Sequence, residues 1–204
     1  MCFYFQMSVD AQTLEHRFQK KLPMSQSQVT KMVINGFEHP KILVTLPHST
    51  HFDFYEWGLI PHWAKDASIQ KSTLNARIET LAEKASFKNV IQNRCLIPAT
   101  GFYEWQWLDE KGKNKQKYLI QNLDNTLFSF AGITSQWIDK ATGEIKNTCC
   151  ILTTQANEIM SKIHNTKQRM PVILAEKDET AWLNGADYQL FAFPYQVPLQ
   201  GLML

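Results

Sequence analysis

Beyond Cys95 the apolar residues arrive in short runs: Cys95-Leu-Ile-Pro98, Phe102-Tyr-Glu-Trp-Gln-Trp107, Leu127 to Ile133, Thr148 to Leu152 and Met170-Pro-Val-Ile-Leu174. Runs of roughly 4 to 8 residues closed by Pro, Gly or polar residues fill a strand and are too short for a helix that packs alone. Between Phe102 and Trp107 a period of two sets Phe102, Glu104 and Gln106 on one face and Tyr103, Trp105 and Trp107 on the other. The opening Cys-Phe-Tyr-Phe, Ile42 to Leu46 and Phe52 to Trp57 also read as strands, and the alternating lysines from Lys111 to Lys117 read as a hairpin tip. Helical signals are fewer. Asp10 can cap a helix carrying Leu14, Phe18 and Leu22 before Pro23 ends it, Leu81, Phe87, Val90 and Ile91 form an apolar stripe, and Ala156 to Ile163 is a short helix. Met24 to Thr30 is a polar surface loop, and Gly58 and Pro61 turn Trp57 to Trp63 into a loop that runs on to Asn75. With no βαβ alternation, the expected fold is α+β: one domain over residues 1–204 with a mostly antiparallel sheet.

Charge and cysteine usage narrow the function classes. Lys and Arg number 21 against 19 acids, so the formal charge of +2 excludes a polybasic coat that grips nucleic acid over its whole surface. No apolar run approaches the roughly 18 to 20 residues of a membrane span, and the first residues carry no positive leader, so a soluble, cytoplasmic protein is expected. The four cysteines do not form a disulfide framework, and adjacent Cys149 and Cys150 should point to opposite faces of a strand. No CxxC or His-Cys cluster has zinc spacing, so neither metal nor other cofactor is expected. Nothing suggests a coiled coil, and a monomer is the expectation.

Several residues could carry chemistry. Removal of the first methionine ahead of a small residue exposes Cys2 as a 1,2-aminothiol. Its α-amine, with a pKa of about 7.7 to 8, and its thiol, at about 8.5, are then both available near neutral pH. Such a group condenses with an aldehyde as a Schiff base and closes through sulfur to a thiazolidine. The plainer reading is a small apolar residue starting a strand. Glu104, crowded by aromatics, is suited to proton transfer, or else faces solvent. His164, at a helix C-terminus, can shuttle protons or be an ordinary surface residue. Asn75 and Arg77 stand before an expected helix start, where Arg77 suits a phosphate or pairs with Glu79. Trp57, Trp63, Phe102 and Trp105 can stack on bases or belong to the core.

Together these residues resemble the SRAP family, the SOS response-associated peptidases or abasic site processing proteins. The resemblance rests on Met1-Cys2, Trp57-Gly-Leu-Ile-Pro61 with Trp63, Asn75-Ala-Arg77 with Glu79-Thr80, and Arg94-Cys-Leu-Ile-Pro98 leading to Gly101-Phe-Tyr-Glu-Trp105. Further on, Thr153-Thr154, Ala156-Asn157, Ile163-His164 and Arg169-Met-Pro171 match in order. It implies a compact fold around a curved sheet and covalent capture by Cys2 of the ring-opened aldehyde of an abasic site in single-stranded DNA. Asn75 would hold the N-terminal amine or the opened sugar, Glu104 would move protons, and His164 would help open the deoxyribose ring. Arg77 would bind a flanking phosphate, with Trp63 and Arg169 also on the DNA. Three departures stand out. Phe3 and Tyr4 occupy the place of Gly-Arg, Asn35-Gly-Phe-Glu-His-Pro40 replaces Asn-x-Ala-Pro, and Asn165 to Gln168 lengthen the interval before Arg169-Met-Pro171. Two other readings stay open: a thiol peptidase or amidase using Cys2 with His164 or Glu104 as base, and a non-catalytic single-strand binding module.

Overall fold

The computed structural model describes residues 2–23 and 32–204, so the loop expected from Met24 to Thr30 lies outside the described residues. In chain order the elements are β1 (Tyr4–Met7), α1 (Ala11–Phe18), β2 (Met32–Asn35), β3 (Lys41–Val44), β4 (Asp53–Trp57), β5 (Asn75–Arg77), β6 (Arg94–Ala99), β7 (Gly101–Trp107), β8 (Lys115–Asn122), β9 (Phe128–Ile138), β10 (Ile145–Gln155), α2 (Glu158–Ile163), β11 (Arg169–Pro171), β12 (Ile173–Leu174), α3 (Glu176–Leu183) and β13 (Leu199–Met203). The α+β class and the mostly antiparallel pairing are as expected. The strands divide over two sheets, one of five strands in the order β13-β8-β7-β1-β2 and one of eight with the path β12-β9-β10-β4-β3. Two pairings are parallel, β4 and β5 each lying along one edge of β10.

The two sheets face each other across a core that takes Phe5, Phe102 and Ile120 from the smaller sheet and Ile97, Phe130 and Ile151 from the larger. A second apolar cluster covers the other face of the larger sheet, where Leu14 and Phe18 of α1 and Trp182 of α3 meet Leu96, Ile133 and Leu152. Strand periodicity accounts for the division: along β10, Cys149 and Ile151 enter the first cluster, Cys150 and Leu152 the second. The adjacent cysteines therefore pack in opposite directions, and all four cysteines are free.

Local chemistry sets the ends of the elements. Asp10 accepts the backbone N–H of Thr13 at 2.8 Å to start α1, and Gln19, at φ 52, closes it in the left-handed region. The expected helices between Leu81 and Ile91 do not form. Hydrogen bonds there run from Phe87 to Lys84, Val90 to Phe87 and Asn93 to Val90, a chain of turns that still buries Leu81, Phe87 and Val90. Burial of three apolar residues did not need a continuous helix, and Ser86 and Asn89 favour turns. Nor does Asn75–Arg77 precede a regular helix. It is a strand, paired with Ile151 to Thr153 of β10 and followed by a single 3-10 turn over Ile78–Thr80.

Candidate active site around Cys2

Cys2 is fully buried at the head of β1, among the residues between the sheets. The Asn75 side chain crosses from β5 and donates Nδ2 to the Cys2 carbonyl at 2.9 Å. Its Oδ1 is buried and has no hydrogen-bond partner among the described residues, leaving an acceptor directed at the same neighbourhood. Register explains the placement: Asn75 pairs with Ile151 and Arg77 with Thr153, so period two directs both side chains to one side of β5 while Ala76 packs on the other. Arg77 is exposed beside the site.

Glu104 comes from β7 on the core-facing side that carries Phe102, and is 5% exposed. His164 follows α2 directly, its backbone N–H bonded to the Met160 carbonyl at 2.7 Å, and is also buried. Its Nδ1 lies 2.7 Å from the carbonyl oxygen of Arg169 and 3.9 Å from Oε1 of Glu104. A carbonyl can only accept, so Nδ1 carries the proton and Nε2 is left as an acceptor. Burial pushes the imidazole below its usual pKa, with Glu104 pulling the other way, which keeps the ring neutral. Burial, and after it the Glu104 carboxylate, pushes the Cys2 thiol far above the usual thiol range. The thiol is therefore protonated at rest and needs a neighbouring base to become a nucleophile.

The strand carrying Glu104 and the helix end carrying His164 are laced together. Asn165 Oδ1 accepts the Trp107 N–H at 3.1 Å and its Nδ2 donates to the Trp107 carbonyl at 2.9 Å, while Gln106 Nε2 donates to the Lys162 carbonyl at 3.0 Å. Thus the lengthened interval after His164 is anchored to β7. Behind the imidazole, Arg169 holds Glu79 through two bonds of 2.9 and 2.8 Å and also donates to the Thr153 carbonyl at 2.7 Å. Its side chain is only 11% exposed, so the guanidinium is engaged with protein groups. Trp63 is 48% exposed and its indole N–H donates to the Ala85 carbonyl at 3.3 Å. Trp57 and Phe102, by contrast, are fully buried core residues. Sequence reading named Cys2, Asn75, Glu104 and His164, and the fold brings them together. It missed Asn165 and the Glu79 side of the Arg169 clamp, for which no local pattern exists. Among the described residues no cluster of three His, Cys, Asp or Glu could hold a metal ion, and no helix is long and apolar enough to cross a membrane.

A family model for SOS response associated peptidases (SRAP) matches residues 1–196. The chain belongs to the SRAP family. Abasic site processing protein YoqW of Bacillus subtilis (strain 168) is 47% identical over 129 residues, which cover 63% of this SRAP chain and 55% of the relative. Abasic site processing protein YoaM of the same strain is 44% identical over 145 residues, 68% of this chain and 61% of the relative. The SRAP chain thus spans little more than half the length of these curated relatives. A crystal structure of a protein from Bacteroides thetaiotaomicron has the same fold, with a TM-score of 0.89 at 34% identity, covering 100% of this chain and 92% of that one.

Proposed function

We propose that this protein captures abasic sites in single-stranded DNA by a covalent bond to Cys2, acting as a monomer. The observation that carries the reading is the Asn75 amide held on Cys2 with its unpartnered Oδ1, the Glu104 carboxylate acting on the Cys2 thiol, and the neutral His164 3.9 Å from Glu104. The names of YoqW and YoaM support it.

In this mechanism Met1 is first removed by hydrolysis, which frees the Cys2 α-amine, and Asn75 Oδ1 accepts one of its N–H groups. His164 Nε2 takes the proton of the C1′ hydroxyl as the bond from C1′ to the ring oxygen breaks, and the proton is returned to that oxygen, opening the deoxyribose to its aldehyde. The amine adds to the aldehyde carbon, and loss of one water leaves an imine. Sulfur then attacks the imine carbon, forming the C–S bond. Glu104 removes the thiol proton and a proton is returned to nitrogen, closing a thiazolidine. The raised thiol pKa gives this base a task, because thiolate is scarce until sulfur attacks. Arg77 meets a neighbouring phosphate, Trp63 offers an exposed ring, and Arg169 supports the site from behind through its hold on His164. A peptidase reading would use the same thiol as nucleophile with His164 or Glu104 as base, so the two readings part on the substrate attacked and not on the residues.

The test is a denaturing gel of the protein incubated with single-stranded oligonucleotides, one intact and one with an abasic site, after mass spectrometry confirms loss of Met1. A heat-stable shifted band only with abasic DNA, absent in Cys2→Ala, is expected. No band from protein lacking Met1 sinks the proposal. Salt-reversible binding without abasic preference would instead favour a passive module, and DNA-independent peptide cleavage a peptidase.

A further inference from the structure

Two of the departures from the family pattern, Phe3-Tyr4 and the segment around Phe37, meet in space. The Phe3 and Phe37 rings are 4.8 Å apart, Tyr4 lies 6.1 Å from Phe37, and Tyr4 meets the Trp105 ring edge-on at 5.3 Å. The row begins one residue after Cys2 and ends at Trp105, which points away from Glu104 on the other face of β7, so it leads from the rim of the site onto the outer face of the smaller sheet. Core packing does not account for all of it. Phe37 is 55% exposed, and Phe3, Tyr4 and Trp105 each keep part of their surface in solvent.

Positive charge lies along the same face. In the register of β7 and β8, Trp105 stands opposite Lys117 and Trp107 opposite Lys115. Lys117 Nζ is 4.3 Å from the Tyr103 ring and 5.9 Å from that of Trp105, and Lys115 Nζ is 5.1 Å from the Trp107 ring. These ammonium groups lie over rings and none is bonded to a carboxylate in the described structure. Glu38, next to Phe37, is drawn onto the Asn35 amide by a 2.7 Å hydrogen bond. Exposed flat rings flanked by cations match a polyanion that carries flat faces of its own. Unpaired nucleobases fit that description, whereas the bases of a duplex are already stacked on one another.

We propose that the Phe3, Tyr4, Phe37 and Trp105 row is a stacking subsite for a nucleobase next to the captured position, with Lys117 and Lys115 meeting the adjoining phosphates. The proposal rests on the reading of Cys2 as the group that captures abasic DNA. It gives this protein a preference that a phosphate-gripping arginine at position 4 could not: the flank must carry a base. Stacking adds affinity without adding charge, so the preference survives salt that weakens binding overall.

Fluorescence anisotropy with inert DNA separates the subsite from the Cys2 chemistry. Two labelled single strands of equal length and charge carry a tetrahydrofuran spacer at the centre, one with thymidine flanks and one with spacers throughout. Thymidine flanks are expected to bind roughly tenfold more tightly, with the preference falling to within about twofold in Phe37→Ala and surviving in Phe37→Trp. Thermal melts establish that both variants fold. Equal dissociation constants for the two strands in the unsubstituted protein overturn the proposal, as does a preference undiminished in Phe37→Ala or lost equally in Phe37→Trp. The capture reading fails separately, by the absence of a covalent band with reactive abasic DNA, whatever the two inert strands show.

Discussion

Replacing Glu79 by Gln tests whether the clamp behind His164 is an electrostatic device. The Glu79 oxygens receive Arg169 Nη1 and Nη2 at 2.9 and 2.8 Å, Thr154 Oγ1 at 3.0 Å and the Gln155 N–H at 3.2 Å. Glutamine keeps the shape but removes the charge and turns an amide N–H group against the guanidinium. Exposed pairs contribute about 0 to 1 kcal/mol, and breaking a buried pair costs about 3 to 5. With side chains 11% exposed for Arg169 and 36% for Glu79, the pair stands between these limits. The expected loss is about 2 kcal/mol, or about 4 to 8 °C in melting temperature for a domain of this size. The pH dependence supplies the sharper check. Burial raises the Glu79 pKa, but the Arg169 hydrogen bonds and charge outweigh it, so the carboxyl is held below its usual range. A depressed carboxylate stabilises fully above its unfolded pKa of about 4.3, and that contribution is lost as pH falls through the folded value. The gap between Glu79→Gln and the parent, read from urea unfolding in steps from pH 7 to pH 3, should therefore close in acid. A gap below about 0.5 kcal/mol at pH 7, or one that persists undiminished at pH 3, refutes the reasoning.

At Gly132 an added methyl would lie 2.7 Å from Cys95 Sγ and 3.1 Å from the Cys150 carbonyl oxygen. Gly132→Ala should destabilise by about 1 to 3 kcal/mol in chemical unfolding, and a neutral result contradicts the close packing of β6, β9 and β10. Because burial lowers the His164 pKa, the unfolded chain binds that proton more readily. Its contribution is complete above about pH 6.5 and is lost as pH falls from there toward the folded value. His164→Gln should flatten the acid limb of stability between pH 8 and pH 5, and an unchanged limb contradicts the buried neutral imidazole. Cys95, Cys149 and Cys150 are fully buried, and burial raises each thiol. An aromatic disulfide reagent should therefore label them only in denaturant, and rapid labelling of any of the three in the native protein contradicts the packing.

The parts legible in sequence are those whose signal is local. Alternation in Phe102 to Trp107 set Glu104 on the same face as Phe102, because a strand writes its two faces into every second residue, but which face meets the core is decided only by the packing of the two sheets. Asp10 marked the start of α1, since an N-cap acts over three residues. Asn75–Arg77 was not readable as a strand. Three residues hold no period, and the element exists only because β10 pairs with it from more than seventy positions away. The turns from Leu81 to Val90 satisfied the apolar stripe without the helix that normally accompanies it. α3 was not anticipated, although three acids in its first turn ahead of buried Trp182 complement the helix dipole. The Asn165 hold on Trp107 is a contact across 58 positions and has no local signature.

One strand governs the spacing of much of the candidate site. β10 pairs on one edge with β9 and then β11, and on the other with β4 and then β5. Thr153 stands opposite both Arg77 and Pro171. Asn75 and the Arg169 clamp are thus measured from the same ruler, although nearly a hundred positions separate them along the chain. Length changes in the surface turns leave that ruler intact. A single residue deleted between Thr148 and Thr153 would shift one set of marks against the other, turning β10 side chains to the wrong face and parting Cys2 from its neighbours. Variation in this protein should therefore be permissive in its connections and intolerant of any change of length in β10.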